Sequence, residues 1–383
     1  MLQQAAVEYA FPDFDENTRA TIFYTTGTTG RPKGVSFSHR QLVLHSLGLA
    51  TALGSAGRLQ RGDVYMPITP MFHVHAWGVP YVATMLGIKQ VYPGRYDPAL
   101  LLRLIASERV TFMHCVPTIL HMLLHSPDSA AVDLSRCKMI IGGSALPRGL
   151  AQAALARGID VFTGYGMSET CPILTLAQLP GDIAGDDLEA QLDARTKTGS
   201  AIPLVELRVV DAELRDVAHD GRASGEVVAR APWLTEGYWR DPQASSALWQ
   251  GGYLHTGDIG VLGPTGVLTV TDRLKDVIKS GGEWVSSLEL ESVISRHPAV
   301  SEVAVVGRKH EKWGERPFAF VVLKPGQSAS ADAIRQHVQG FVEQGQLSPY
   351  ALPDEVRFVE QLARTSVGKL NKKAMREQLG QPG

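Results

Sequence analysis

The chain reads Tyr24-Thr25-Thr26-Gly27-Thr28-Thr29-Gly30-Arg31-Pro32-Lys33-Gly34-Val35 between a strand-like run and a helix that starts near Ser38. Glycines let backbone N–H groups approach an anion closely, threonine hydroxyls add donors, and Lys33 adds a point charge. The pattern therefore predicts a loop that holds phosphate groups. It is not a Walker loop, because Pro32 stands where a second glycine should precede the lysine. A plain Thr/Gly turn is the weaker interpretation, since such turns rarely end in Pro-Lys-Gly between a strand and a helix.

Around this loop, short apolar runs alternate with helical patterns as far as about residue 166. The apolar runs are TIFYT, VYMPI, KQVYP, VTFMHCV, KMIIGG and DVFTGY. The helical patterns fall near residues 38–53, 98–108, 118–125 and 147–157. Short apolar strands separated by helices predict an α/β fold with a mostly parallel sheet.

The second half of the chain changes pattern twice. From about 197 to 270, short alternating runs separated by Gly, Pro and Asp predict an antiparallel β subdomain beside the sheet. After residue 276, the order helix, strand, strand, helix, strand, helix predicts a compact α+β unit. We therefore predict a large domain over residues 1–274 and a small, mobile domain over residues 275–383.

Composition excludes several classes of protein. The 383 residues carry 37 Lys+Arg and 39 Asp+Glu, and this near-zero net charge gives no electrostatic case for nucleic acid as the main partner. Cys115, Cys137 and Cys171 lack the short spacings of a disulfide framework or a zinc site. The first 20 residues lack the pattern of a signal peptide, and no apolar run predicts a transmembrane segment. The default expectation is a cytoplasmic protein.

Five further segments follow the loop, and their order resembles that of the adenylate-forming superfamily over nearly the whole chain. This superfamily comprises acyl-CoA synthetases, firefly-luciferase-like enzymes and the adenylation domains of peptide synthetases. The segments are Gly142-Gly143-Ser144, Gly164-Tyr165-Gly166-Met167-Ser168-Glu169-Thr170, Tyr253-Leu254-His255-Thr256-Gly257-Asp258, Asp272-Arg273-Leu274-Lys275-Asp276 and Arg364-Thr365-Ser366-Val367-Gly368-Lys369.

The resemblance implies a role for each segment. The loop, with Thr25, Thr26, Gly27, Thr28, Thr29, Gly30 and Lys33, would hold the β- and γ-phosphates of ATP. Tyr165 would stack on adenine, opposite a wall of Gly142, Gly143 and Ser144. The rest of its segment, Gly164, Gly166, Met167 and Ser168, would line the nucleotide and the acid. Asp258 and Arg273 would bind the ribose. Glu169 and Thr25 would hold Mg²⁺, and Lys369 would serve the adenylation step.

Each segment taken alone has a plainer structural interpretation. Asp258 could cap a turn, Glu169 could be a carboxylate near a helix N-terminus, and Lys369 could be one more solvated charge. The common order and spacing of six segments favours the family interpretation.

The segment Pro70–Tyr81 is similar to medium- and long-chain fatty acyl-CoA synthetases, as is Gly281-Gly282-Glu283-Trp284. The resemblance implies that Trp77 gates an acyl tunnel and that His73 lines the acid pocket. The alternative for Trp77 is a buried core aromatic. His73 and His75 also alternate on a segment that we expect to be extended, so both could face one metal, although no third ligand is placed beside them.

These resemblances imply a fatty acid–CoA ligase with two half-reactions. The small domain would rotate about Lys275 after adenylation, bringing in Lys279, Gly281, Gly282 and Trp284 as the channel for coenzyme A. One alternative is an acid–AMP ligase with a non-CoA acceptor. Another is a truncated, catalytically impaired nucleotide-binding remnant, because relatives carry roughly 150 residues, an ordinary domain's length, ahead of the loop. Only about 23 residues precede Tyr24 here. Without the part that precedes the loop in relatives, an apolar face would be exposed, and such a face would also suit a homodimer.

Overall fold

The computed structural model describes residues 8, 10–25, 32–181, 183, 187–281, 283–365 and 370–380. Several predicted site residues lie outside these ranges, namely Thr26, Gly27, Thr28, Thr29, Gly30, Gly282 and Lys369. The side chain of Trp284 is likewise outside the described part of the chain.

A two-stranded hairpin frames the predicted phosphate loop. Strands β1 (Arg19–Tyr24) and β2 (Gly34–Ser38) pair antiparallel, and the helix His39–Ser55 follows with Ser38 as its N-cap. The Ser38 side chain accepts from the Gln41 N–H, and the Gln41 side chain accepts from the Ser38 N–H, as in a capping box. The prediction that TIFYT joins the parallel sheet was wrong. Residues 25–33 are too short a connection for a parallel crossover, which needs a dozen residues or more.

The predicted parallel sheet is confirmed in the next part of the chain. Its strands are β3 (Val64–Pro67), β4 (Lys89–Gln90), β5 (Phe112–Cys115), β6 (Lys138–Ile141), β7 (Asp160–Gly166), β8 (Ile173–Leu176) and β9 (Ser200–Ala201). Their spatial order is β4-β3-β5-β6-β7-β8-β9, parallel as far as β7 and antiparallel beyond it. Its helices are Val79–Met85, Pro98–Glu108, Pro117–His125, Arg148–Ala156 and Leu188–Thr196.

Side chains that alternate along these strands enter two different hydrophobic cores. Tyr65 and Phe112 pack into one core with helix His39–Ser55, whereas their neighbours Met66 and Met113 pack into the other. Successive side chains of a strand point to opposite faces, so apolar residues at consecutive positions give a sheet covered on both sides. This burial leaves the carboxyl ends of the strands as the edge where a ligand can bind.

The antiparallel subdomain follows, as predicted. It contains β10 (Glu206–Val210), β11 (Ser224–Arg230), β12 (Trp249–Gln250), β13 (Tyr253–Leu262), β14 (Leu268–Arg273) and the helix Pro242–Leu248. The spatial order is β10-β11-β13-β12, and β14 also pairs with β13. Residue Trp239 ties this region to the hairpin, because its N–H donates to the Gly34 carbonyl at 2.7 Å.

The C-terminal unit forms a separate mixed sheet. Its elements are β15 (Ile278–Ser280), β16 (Glu283–Val285), β17 (Val300–His310), β18 (Gly314–Leu323), β19 (Glu355–Phe358) and the helices Ser287–Ser295, Ala331–Glu343 and Lys372–Glu377. The order is β16-β15-β18-β17, with β19 parallel to β18. The domain boundary between residues 274 and 275 stays a prediction.

Among the described residues, no helix combines the length and the apolar character needed to cross a bilayer.

Three histidines are buried in the part of the chain before residue 275, which we call the first unit, and they make its stability sensitive to acid. Burial lowers the pKa of His45 to about 3, of His114 to about 3 and of His75 to about 4, from an ordinary value of 6.5. Below pH 6.5 the unfolded chain takes up protons that the folded chain excludes, so stability is present above that pH and falls as the pH drops. At up to ~1.4 kcal/mol per histidine per pH unit, we expect the unfolding free energy to fall by about 3–6 kcal/mol from pH 7 to pH 5.

Urea denaturation at several pH values measures this effect. His45→Phe should make the slope of stability against pH shallower, because it removes one of the three buried titrating groups. His45 Nε2 has no hydrogen-bond partner among the described residues, so the substitution loses no bond there. The exposed His219 supplies the control, since His219→Gln should leave the slope unchanged. A flat profile across this range would contradict the prediction.

Candidate active site

The base of the predicted phosphate loop is closed by Thr25 and Lys33. The Thr25 N–H donates to the Lys33 carbonyl at 2.9 Å, and the Lys33 N–H donates to Thr25 Oγ1 at 3.2 Å. Both residues stand next to the paired ends of β1 and β2. The hairpin therefore fixes the two ends of the loop at one place.

Lys33 and Glu169 lie on two sides of one tyrosine. The Lys33 ammonium Nζ is 4.6 Å from the centroid of the Tyr238 ring, and the Tyr238 hydroxyl donates to Glu169 Oε1 at 2.6 Å. Glu169 is only 6% exposed and sits in the short 3-10 turn Ser168–Thr170 after β7. The structure thus brings the predicted phosphate lysine and the predicted metal carboxylate together.

Tyr238 was missed in the sequence analysis. Burial, with the neighbouring Glu169 carboxylate, raises the pKa of Tyr238 far above its ordinary value, so the phenol stays a neutral donor. The available signal was the aromatic pair Tyr238-Trp239 inside a polar segment bounded by Glu236 and Arg240. Such a pair in a loop favours a packed or binding role over a solvated one.

The predicted adenine and ribose residues also meet. The Tyr165 hydroxyl donates to Asp258 Oδ2 at 2.8 Å, and Arg273 Nε lies 3.2 Å from Asp258 Oδ1. Asp258 is 6% exposed, and its N–H donates to Thr256 Oγ1 at 3.1 Å. Desolvation, with the Asp258 carboxylate, raises the pKa of Tyr165. The three side chains form a fixed group at the junction of the two sheets.

The glycine-rich segments occupy the carboxyl ends of two parallel strands. Gly142, Gly143 and Ser144 follow β6, whereas Gly164 and Gly166 lie in β7 and Met167 and Ser168 come directly after it. A Cβ atom at Gly166 would lie 1.8 Å from the Pro172 carbonyl oxygen, and one at Gly142 would lie 2.7 Å from the Gly164 carbonyl oxygen and 3.0 Å from the Trp77 indole. The backbone approaches its neighbours so closely at both positions that only glycine fits.

Trp77 lies beside this edge of the sheet. It is 4% exposed and stacks on His114, with ring centroids 4.9 Å apart. The His114 ring is itself held by Tyr65 and Thr69, at 2.6 and 3.0 Å. The burial agrees with the core interpretation of Trp77, and the contact with Gly142 places it next to the predicted nucleotide wall. Its role as a gate stays a prediction.

The prediction of an extended segment at His73 and His75 was wrong. Residues Val74–Trp77 form a left-handed turn with φ between 48° and 60°, and Gly78 continues it at φ 73°. His75 is buried and its Nε2 is 3.0 Å from Thr21 Oγ1, whereas His73 precedes the turn and is half-buried. The turn ends the alternation that would have aimed both rings at one metal. The described residues contain no group of three or more His, Cys, Asp or Glu able to hold a metal.

The predicted hinge residue Lys275 lies between bonds to the two units. The Leu274 N–H donates to the Gly257 carbonyl at 2.9 Å, and the Asp276 carboxylate pairs with Arg376 at 2.8 Å. Two residues of the predicted coenzyme A channel are bonded inside the C-terminal unit. The exposed Lys279 donates its backbone N–H to Glu315 at 3.0 Å, and Gly281, at φ 63°, donates its N–H to Trp313 at 2.9 Å.

Two family models match the chain. The model for AMP-binding enzymes matches residues 3–239, and the model for the C-terminal domain of AMP-binding enzymes matches residues 289–369. The chain is 45% identical over 368 residues to a long-chain-fatty-acid–CoA ligase from Thermus thermophilus, covering 95% of this chain and 66% of that protein. It is 37% identical to a medium-chain-fatty-acid–CoA ligase from Ectopseudomonas oleovorans, covering 99% of this chain and 68% of that protein.

Two solved structures also superpose on this chain. ATP-bound MatB from Rhodopseudomonas palustris superposes with a TM-score of 0.84 at 29% identity, covering 98% of this chain and 71% of that one. The anthranilate CoA ligase AuaEII, in complex with anthranoyl-AMP, superposes with a TM-score of 0.82 at 28% identity, covering 95% and 68%. This chain spans about two thirds of the length of the curated relatives it matches. It belongs to the AMP-binding enzymes, the adenylate-forming family that its motifs resemble.

Proposed function

We propose that the chain joins a fatty acid to coenzyme A at the expense of ATP, through an acyl-adenylate, and releases AMP and pyrophosphate. The observation that carries the proposal is that the structure assembles two groups of predicted site residues, Lys33–Tyr238–Glu169 and Tyr165–Asp258–Arg273. The first group suits the phosphates of ATP, and the second group suits its nucleoside. The relatives named as long- and medium-chain fatty acid–CoA ligases support the substrate class.

The first half-reaction must overcome repulsion between two anions. A carboxylate oxygen of the acid forms a bond to the α-phosphorus of ATP, and the bond from that phosphorus to the bridging oxygen breaks, so that pyrophosphate leaves. We assign Lys33, at the base of the predicted loop, to the distal phosphates, and Lys369 to the charge that develops at the α-phosphate. Fixed positive charges and a positioned substrate lower such a barrier without any further reorganisation.

The donor set fits Mg²⁺ carried by ATP. Mg²⁺ usually keeps several waters and takes only one or two protein carboxylates together with substrate phosphates. Glu169 supplies one buried carboxylate beside the phosphate loop, and the Thr25 hydroxyl stands at the loop base. When bound there, the ion would neutralise phosphate charge. Tyr238 holds the Glu169 carboxylate in place for this role.

The nucleoside half is assigned to the second group. The buried Asp258 carboxylate can accept from both ribose hydroxyls while Tyr165 and Arg273 hold it in one orientation. Two charge-assisted hydrogen bonds from a preorganised acceptor give both affinity and register. Gly142 and Gly164 let the backbone approach the base, as expected for a ligand at the carboxyl ends of parallel strands.

The second half-reaction needs a different set of groups at the same place. The sulfur of coenzyme A forms a bond to the acyl carbon as the thiol proton passes to solvent, and the bond from that carbon to the phosphate oxygen breaks, so that AMP leaves. We assign Lys275 as the pivot that brings Lys279 and Gly281 to the first unit for this step. Exchanging catalytic groups by rotation of a small unit lets one site serve both reactions.

Pyrophosphate release from ATP tests the proposal. The assay uses short-, medium- and long-chain fatty acids and an aromatic acid, each with and without coenzyme A. Release with fatty acids and thioester formation with coenzyme A would support the ligase. Release with an acid but no thioester with coenzyme A would favour the alternative acceptor. No release with any acid would favour the catalytically impaired remnant.

We expect Tyr238→Phe to lower the rate of adenylation about tenfold while the fold is retained. The ring and its contact with Lys33 remain, and only the hydrogen bond to Glu169 is lost, which is worth ~1.5 kcal/mol for a charged acceptor. The measurement is pyrophosphate release against Mg²⁺ concentration, where the variant should need more Mg²⁺. Tyr253→Phe is the control, because Tyr253 bonds the exposed Glu206 on the antiparallel sheet. An unchanged Mg²⁺ dependence would refute this role of Tyr238.

A further inference from the structure

Arg364 connects the two units of the chain through its guanidinium group. Its Nη1 donates to Thr118 Oγ1 at 2.9 Å, and its Nη2 lies 2.7 Å from Glu302 Oε1. Thr118 is in the first unit, 246 positions away in sequence, whereas Glu302 belongs to β17 of the C-terminal unit. One side chain therefore holds a group of each unit in the geometry of a single planar fork.

The contact reaches the edge of the sheet where the candidate site lies. Thr118 stands in the first turn of helix Pro117–His125, directly after the carboxyl end of β5. Gly142 follows the neighbouring strand β6, and Tyr165 is near the end of β7. Because carboxyl ends of parallel strands share one edge, Arg364 docks on the same edge as the nucleotide residues.

Arg364 also pairs with the chain on the other side of residues 365–369. It forms an antiparallel bridge with Leu370, and the Asn371 N–H donates to the Ala363 carbonyl at 2.8 Å. The residues that precede 365–369 therefore lie beside the residues that follow them. Fixing Arg364 against Thr118 fixes both of these ends relative to the first unit.

Several other bonds across the predicted boundary lie beside the hinge. The Ser287 N–H, for example, donates to Asp272 Oδ2, a partner only 15 residues away in sequence. Bonds next to a pivot lengthen little when the attached unit rotates, whereas a distant bond must break. The Arg364–Thr118 bond is such a distant contact, because 246 positions separate its two residues.

We propose that Arg364 is a positioning residue that selects the orientation of the C-terminal unit used for adenylation. The proposal rests on the proposed function and adds a residue that controls it. Arg364 donates to Thr118 in this orientation and releases it when the unit rotates for the thioester step. A lysine cannot replace it, because an ammonium lacks the rigid fork that holds a hydroxyl and a carboxylate together.

Comparison of the two half-reactions tests this role. We expect Arg364→Ala and Arg364→Lys to slow pyrophosphate release about tenfold, or ~1.4 kcal/mol of barrier, and Thr118→Val to slow it by roughly half as much in free energy. The rate of thioester formation from supplied acyl-adenylate should change by less than about twofold. That is far less than the tenfold change that ~1.4 kcal/mol of barrier gives. Arg308→Ala is the matched control, since Arg308 pairs with Glu355 inside the C-terminal unit. Equal losses in both half-reactions, as from a merely structural defect, would overturn the proposal.

A distance measurement tests the same idea without activity. Cys115, Cys137 and Cys171 are all buried, so cysteines introduced as Asp128→Cys and Gln336→Cys in the two units can be labelled selectively. Fluorescence transfer between the labels should show one narrow distance, which Arg364→Ala broadens and Arg308→Ala leaves unchanged. An identical distribution in the Arg364→Ala protein would overturn the proposal. If the unsubstituted chain releases no pyrophosphate, the proposed function fails while this readout still decides the role of Arg364.

Discussion

Replacing Lys369 with alanine should abolish acyl-adenylate formation and leave thioester formation from supplied acyl-adenylate largely intact. Lys369 is the residue we assign to the charge developing on the α-phosphate, and removing one such donor costs roughly a hundredfold to a thousandfold in rate. In the mechanism we propose, the second half-reaction follows rotation of the C-terminal unit, which withdraws this lysine. The loss should therefore fall on one half-reaction alone.

Two assays on one protein measure the difference. Pyrophosphate release with ATP and acid reports the first step, and product formation from synthetic acyl-adenylate and coenzyme A reports the second. Lys373→Ala is a matched control, because Lys373 pairs with Glu377 at 3.9 Å inside helix Lys372–Glu377 and has no assigned role. Comparable losses in both steps would show that Lys369 does not have the role assigned to it.

Asp258→Ala should raise the KM for ATP about a hundredfold, the second large effect we expect. Asp258 is the buried acceptor assigned to both ribose hydroxyls, and two such bonds at ~1.5 kcal/mol each give about two factors of ten. The substitution also leaves the Tyr165 hydroxyl and the Arg273 guanidinium without this shared carboxylate. The nucleoside end of the site should therefore lose its order as well as its acceptor.

Initial rates against ATP concentration, together with a thermal melt, separate binding from folding. Tyr165→Phe removes only one of the bonds to Asp258 and should raise the KM far less. Asp216→Ala removes an exposed partner of Arg208, 2.7 Å away beside the same antiparallel sheet, and should change neither quantity. An ATP KM that stays at its original value in Asp258→Ala would exclude the ribose assignment.

The fold was largely predictable because its cause is local. Consecutive apolar residues such as Tyr65 and Met66 require a strand covered on both faces, and helices between such strands require parallel crossovers. The error at TIFYT has the opposite origin. An apolar run predicts a strand but not its partner, and the length of the connection to β2 decided the pairing.

The site was predictable where one segment carries several of its residues. The predicted phosphate loop and the Glu169 segment are each continuous in sequence, so a motif was enough to predict both, and their roles stay predictions. Tyr238 bonds a residue 69 positions away, and no local pattern announces that contact. Similarly, the turn at Val74–Trp77 uses a backbone conformation that its residues disfavour, so propensity alone predicted an extended segment.

That turn has a consequence for the range of acids that the proposed reaction would use. Left-handed backbone costs an ordinary L-residue roughly 1–2 kcal/mol, and Val74–Trp77 place four such residues in succession with no glycine among them. The segment is therefore locally frustrated, held in shape by its surroundings against its own preference. Such a segment changes conformation at little further cost when its neighbours change. We expect the Trp77 end of the site to be the adaptable wall of an otherwise rigid sheet edge, where acids of different length find room.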